Sequence, residues 1–233
     1  MKKRGGTHVG VVLSFVIFVV FLVFLYSILV EPTINKNDKD YLLENLRIKL
    51  IENVSEELIT STLNIETAPQ NCIKLSNLIN DLEINSKIIV KNRLKNNQIS
   101  YVLGNDLEIS RDNNSETFFK IYYSEEFNEV STIGETPCNS RNYEKGLVRT
   151  NKYVFETKII NLMNEYKNNY EALKEELKIP IGSDFNFGFT YNNKTSIITE
   201  KNISTNIYAM EIPIQYVDKE SNILLGSINL KIW

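Results

Sequence analysis

From Val9 to Val30 the chain carries no charged residue, and 18 of these 22 positions are Val, Ile, Leu or Phe. A helix of that length rises about 33 Å, against a hydrocarbon core of roughly 30 Å. On insertion scales each such side chain contributes roughly −0.3 to −0.6 kcal/mol near the bilayer centre, so the run is worth about −5 to −11 kcal/mol. Only Gly10, Ser14, Tyr26 and Ser27 dilute it. Helices of a globular core rarely stay apolar on every face for about six turns, so the expected element is a transmembrane helix over residues 9–30.

Charge sets the expected orientation. Lys2, Lys3 and Arg4 precede the run, and Glu31 with a mixed stretch of Lys36, Asp38, Lys39 and Asp40 follows it. Positive charge on the N-terminal side places a basic leader, residues 1–8, in the cytoplasm and the C-terminal domain outside it. The expectation is a single-pass cell-membrane protein with an extracytoplasmic domain and the lipid bilayer as its first partner. A cleaved signal peptide would have an apolar region of about 7–15 residues and a small-x-small site. Here the run is longer and ends Tyr26-Ser27-Ile28-Leu29-Val30-Glu31-Pro32, without an Ala-x-Ala pattern. A retained anchor is therefore expected.

All 29 acidic residues lie beyond residue 30, with 23 of the 26 basic ones, a net charge of −6 for residues 31–233. A weakly acidic domain offers no electrostatic footprint for nucleic acid. Ile, Leu, Val, Phe and Tyr recur throughout it and can form a core. Cys72 and Cys138 both fall in this part. Their 66-residue separation is far from zinc-site spacings, and a disulfide closing such a loop would stabilise by about 4 kcal/mol. The alternative is two buried thiols. Asn53, Asn113, Asn193 and Asn202 each begin an Asn-x-Ser/Thr triplet. These are glycosylation acceptors in an exported domain, or chance products of an Asn-rich chain.

Residues 31–40 read as a juxtamembrane linker in which Pro32 favours a break. Residues 41–233 read as one α+β domain. Leu42, Leu43, Leu46, Leu50 and Ile51 approximate a helical period. Lys87–Lys91, Gln98–Leu103, Leu107–Ile109 and Thr117–Tyr123 are short, β-branched and aromatic, and predict three or four antiparallel strands. Residues 125–147 read as loop. Ile159, Leu162, Met163, Tyr166, Tyr170, Leu173 and Leu177 form one apolar stripe, predicting a helix over 152–178 that Pro180 and Gly182 terminate. Phe185, Phe187, Phe189 and Tyr191 alternate, residues 195–201 can return as a paired strand, and residues 206–217 and 223–233 predict a hairpin. Pro213 suits an edge or bulge. The expected fold is thus a transmembrane helix followed by an exported α+β domain, with an antiparallel sheet and one or two packed helices.

His8 is the only histidine and lies beside the apolar run, which removes Ser-His-Asp, Cys-His and histidine-zinc chemistry from the domain. No Gly-rich phosphate loop occurs, and none of the acidic residues stands out as a catalytic pair. Neither a catalytic residue, a cofactor nor a metal ligand is assigned, and no enzyme activity is expected.

The start, Lys3-Arg4-Gly5-Gly6-Thr7-His8-Val9-Gly10-Val11-Val12, resembles archaeal type IV pilins and pilin-like proteins. They often begin with a basic residue and Gly, then a Ser/Thr-containing stretch entering the membrane helix. The resemblance covers about 30 residues. It implies cleavage by a prepilin peptidase after Gly5, with Gly6 the second choice, leaving the apolar helix at the mature N-terminus. The Glu often found five residues into bacterial mature pilins is absent. The implied function is a pilin-like or pseudopilin-like surface subunit whose helix packs with other subunits or with a pilus-type assembly machine. An unprocessed membrane-anchored binding or adhesion module is the second reading, and a tethered carboxylate hydrolase the third.

Overall fold

A computed structural model describes residues 7–67, 69–111, 115–131, 138–199, 201 and 206–233. For 7–9 and 27–37 only the helical backbone is described. In chain order the elements begin with α1 (Thr7–Asn53), β1 (Ser55–Ile65), β2 (Cys72–Leu75) and α2 (Leu78–Leu82). The middle comprises β3 (Ile88–Asn92), β4 (Asn97–Gln98), β5 (Ser100–Leu103), β6 (Asp106–Ser110), β7 (Phe118–Tyr123), β8 (Asn139–Ser140), β9 (Tyr143–Lys145) and β10 (Arg149–Phe155). The chain closes with α3 (Glu156–Asn168), α4 (Tyr170–Glu176), β11 (Phe185–Thr190), β12 (Ser196–Ile198), β13 (Tyr208–Val217) and β14 (Ile223–Ile232).

The expected transmembrane helix is corrected here. Among the described residues no helix is long and apolar enough to cross a membrane. The apolar run is not a separate spanning element but the first half of one continuous 47-residue helix. The single-pass, membrane and extracytoplasmic assignments rested on that span and fall with it. The chain is also helical through residues 31–40, including Pro32, where a break was expected.

The sheet is likewise not purely antiparallel. Ten strands form one sheet in the order β12-β11-β14-β13-β10-β1-β7-β3-β4, with β9 also pairing β1, and a second sheet runs β5-β6-β2-β8. Two pairings are parallel, β10 with β13 and β2 with β8. The β10–β13 contact joins two antiparallel groups into one sheet through only Val154↔Tyr216 and Phe155↔Val217.

Three clusters make the core. In the first, Leu43, Leu46 and Leu50 of α1, Ile159, Leu162, Met163 and Tyr166 of α3, and Leu173 of α4 pack on Phe185, Phe187, Phe189, Ile228 and Leu230. Here the alternation in β11 and the helical stripe meet, each burying the face its period creates. In the second, β1, β3 and β7 pack through Leu63, Val90, Phe119 and Ile121 against Ile73, Leu75, Leu107 and Ile109 of the smaller sheet and Leu78 of α2. Strand alternation puts these two clusters on one face of the large sheet, because Ser55↔Val154 and Ser61↔Ile121 share parity along β1. Leu58, Tyr122, Phe155 and Val217 form the third cluster on the opposite face.

The predicted helix over 152–178 is two helices preceded by a strand. Residues 152–155 complete β10, and Asn169 interrupts the helix with φ −147° and ψ 51°. Its carbonyl accepts the Leu173 amide, so it starts α4. The apolar stripe survives because Leu173 and Leu177 still face the core. The β13–β14 hairpin pairs over ten residues, from Tyr208↔Ile232 to Val217↔Ile223. Pro213 pairs with Ser227 of β14 in the stretch of β13 that β10 does not reach, an edge setting in which proline is tolerated.

Candidate functional site

The second half of α1 is fixed to the domain. Leu43, Leu46 and Leu50 are buried against β13 and β14, the Lys39 ammonium donates to the Ser183 hydroxyl at 2.7 Å, and the Asn53 amide donates to Glu176 at 2.8 Å. The first half is a bare apolar surface. Val11, Val12, Leu13, Phe15, Val16, Ile17, Phe18 and their neighbours through Phe24, with Tyr26, are exposed around the helix. Phe15, Phe18, Phe21 and Phe24 are each more than half exposed and alone present about 450 Å² of aromatic surface. Monomeric proteins rarely leave contiguous apolar patches beyond a few hundred Å² uncovered.

A cavity of about 590 Å³ lies beside α3 and α4, lined by Tyr166, Lys167, Tyr170, Ile198 and Lys201. At its edge the Asp184 carboxylate receives Lys174 at 3.1 Å, Lys201 at 3.0 Å and the Tyr170 hydroxyl at 2.9 Å. Burial pushes the Asp184 carboxyl up, but hydrogen bonds from Lys201, Tyr170 and Lys174 outweigh it and hold it at about 2. Burial raises the Tyr166 phenol to about 12, and the hydroxyl donates to the Phe185 carbonyl at 2.7 Å. The Lys201 ammonium also stands 3.9 Å from the centre of the Tyr170 ring. With both lysines on one carboxylate, and the two phenols protonated and hydrogen-bonded, this cluster locks α4 to β11. It supplies neither a free nucleophile nor a base.

The residues singled out in the sequence are not gathered into one site. Gly5, Gly6, Asn113 and Asn202 lie outside the described residues. Asn53 is half-buried, with its amide committed to Glu176. Asn193 is exposed in the turn after β11, where its carbonyl oxygen accepts the Thr195 amide and hydroxyl at 3.0 and 2.7 Å. Cys72 and Cys138 are joined, with Cα atoms 4.8 Å apart. Glu108 approaches both sulfurs, but with these bonded to each other the group offers a cation a single carboxylate. Glu66 and Glu144 line a common cleft of about 250 Å³. Both are exposed to solvent.

Lys174, Asp184 and Lys201 were not singled out in the sequence, and no spacing rule would have found them. Lys174 would have read as the polar side of a helix and Asp184 as a loop acid before a strand. No protein-family model, no curated protein and no solved structure matches this chain.

Proposed function

We propose that the protein is a pilin-like structural subunit that assembles with further copies of itself through the first half of α1, the α+β domain forming the outer contact surface. One observation carries this reading. A single helix is anchored by Leu43, Leu46 and Leu50 in a folded core, while its Gly10–Tyr26 stretch is apolar on all sides. A helix that is apolar all round belongs in an interior. Covering every face takes several neighbours rather than one groove, which is the geometry of a bundle. No charge interrupts residues 9–30, so nothing there would select a charged partner. Phenylalanines at 15, 18, 21 and 24 repeat every third residue and form a ridge that copies of the same helix can interleave. The basic leader belongs to the same reading, with cleavage after Gly5.

Sedimentation velocity on the full chain over a micromolar concentration series tests the assembly. Concentration-dependent multi-copy species are expected, and Phe18→Asp or Phe21→Asp should shift the population to monomer with the domain's unfolding midpoint unchanged. A chain that stays monomeric throughout, or that enters neutral lipid vesicles as a monomer, overturns the reading. N-terminal sequencing of the mature protein tests the processing step, with a start at Gly6 expected.

A further inference from the structure

On the face of the large sheet opposite the helices, β3 and β7 meet the tip of the β13–β14 hairpin. Lys91 of β3 stands directly opposite Lys120 of β7. Like charges opposed on neighbouring strands repel each other. Both ammonium groups lie over the Tyr122 ring, at 5.5 and 4.8 Å from its centre. The turn after β3 adds Lys95, held at φ 66° while Asn92 accepts the Leu94 and Asn96 amides. These three lysines, Tyr122 and Ser221 to Leu224 enclose a cavity of about 370 Å³.

The opposite wall is rigid and polar. Asp218 accepts the Glu220 and Asn222 amides at 2.9 and 2.8 Å and the Asn222 side chain at 2.9 Å, which fixes the turn. The Asn222 carbonyl oxygen, so oriented, accepts Lys91 at 2.7 Å. Lys91 is 3% exposed, its ammonium held by the Asn222 amide oxygen and the face of the Tyr122 ring, both uncharged. Ser221 lines the cavity at φ 59° and is 2% exposed, and its buried hydroxyl has no hydrogen-bond partner. Among the described residues no carboxylate forms an ion pair with Lys91, Lys95 or Lys120. The negative charges of Asp218 and Glu220 both act on Lys91, and the turn already occupies the Asp218 oxygens. Three cations and an unmatched buried hydroxyl, in an otherwise acidic domain, form half of a set of charge-assisted hydrogen bonds.

We propose that this cleft binds a tetrahedral oxyanion, the phosphate or sulfate group of a small ester. Lys91, Lys95 and Lys120 supply the charge, and the Ser221 hydroxyl donates a directional hydrogen bond. The hydrogen bonds of Asp218 hold the turn that forms one wall, so that wall is organised before the ligand arrives. The cavity volume suits a small molecule rather than a polymer. The site is independent of α1 and survives or fails apart from the assembly reading.

Calorimetric titration of the full chain with inorganic phosphate and with sulfate, each against sodium chloride at equal ionic strength, is the test. Saturable binding of either oxyanion beyond chloride is expected. The anion that binds more tightly names the ester class, and both results support the site. Lys120→Gln should weaken binding about tenfold, as loss of one charged hydrogen bond implies, and Ser221→Gly by about threefold. Lys95→Gln, an exposed turn position, provides a variant whose folding is not in question. Phosphate and sulfate behaving like chloride, or Lys95→Gln and Lys120→Gln binding as tightly as the parent, overturns the proposal.

Discussion

Asp184→Asn isolates the ion cluster that ties α4 to the start of β11. The residue also exchanges two backbone hydrogen bonds with Trp233, both 3.0 Å, so the carboxylate sits where the last strand ends. Burial alone would raise its pKa, yet hydrogen bonds from Lys201, Tyr170 and Lys174 bring it to about 2. An unfolded Asp titrates near ~3.9. A pKa depressed by folding contributes stability that is complete above about pH 4 and is lost as pH falls through about 2. A shift of that size corresponds at most to about 2.6 kcal/mol. The carboxylate is 32% exposed and Lys201 36%, so solvent screening reduces the expected contribution to about 1–1.5 kcal/mol. Urea unfolding of parent and Asp184→Asn at fixed ionic strength, at steps from pH 7 to pH 2, measures it. The stability gap between them should be constant from pH 7 to about pH 5 and shrink by about 1–1.5 kcal/mol by pH 2. A gap that stays constant down to pH 2 refutes the reasoning, because the carboxylate would then titrate alike in both states.

Two other perturbations test the fold directly. Cys72→Ser removes a cross-link between residues 66 apart and should cost about 4 kcal/mol, lowering the melting midpoint by about 8–16 °C. Equal midpoints for parent and variant would show that the closed loop constrains nothing. Gly226→Ala places a methyl 2.7 Å from the Thr190 carbonyl, 3.0 Å from Phe189 and 3.2 Å from Tyr216. The carbonyl belongs to the β11 ladder and cannot yield without breaking it. A loss of about 1–3 kcal/mol in chemical unfolding is expected, and an unchanged midpoint would mean that the two strands are farther apart than described.

Where periodicity and pairing are both local, the sequence was a sufficient guide. Residues 206–217 and 223–233 alternate around a short polar turn, and they form β13 and β14. The strands predicted between Lys87 and Tyr123 fall within a few residues of β3 to β7. The stripe from Ile159 to Leu177 faces the core, although Asn169 splits its helix. Other features could not be read along the chain. β1, near the middle of the large sheet, is Ser-Glu-Glu-Leu-Ile-Thr-Ser-Thr-Leu-Asn-Ile, too polar to announce a central strand. The apolar run from Val9 suggested an isolated span, but its helix continues for another 23 residues into the domain core. Lys91 ends an apolar strand segment and looks solvent-bound, yet it is buried by Asn222, 131 residues away.

An amino-acid sequence sets which face of each element is apolar, since side-chain direction follows from backbone period. It therefore determined the β13–β14 hairpin, the strands between Lys87 and Tyr123, the helical stripes and the confinement of histidine to position 8. Which faces meet is a different quantity, decided by pairings such as β10 with β13 that form only when distant segments compete for the same sheet edge. The opposed lysines beneath the hairpin tip, and the continuity of α1 with the core, exist only because of those pairings. Tertiary structure alone decided them.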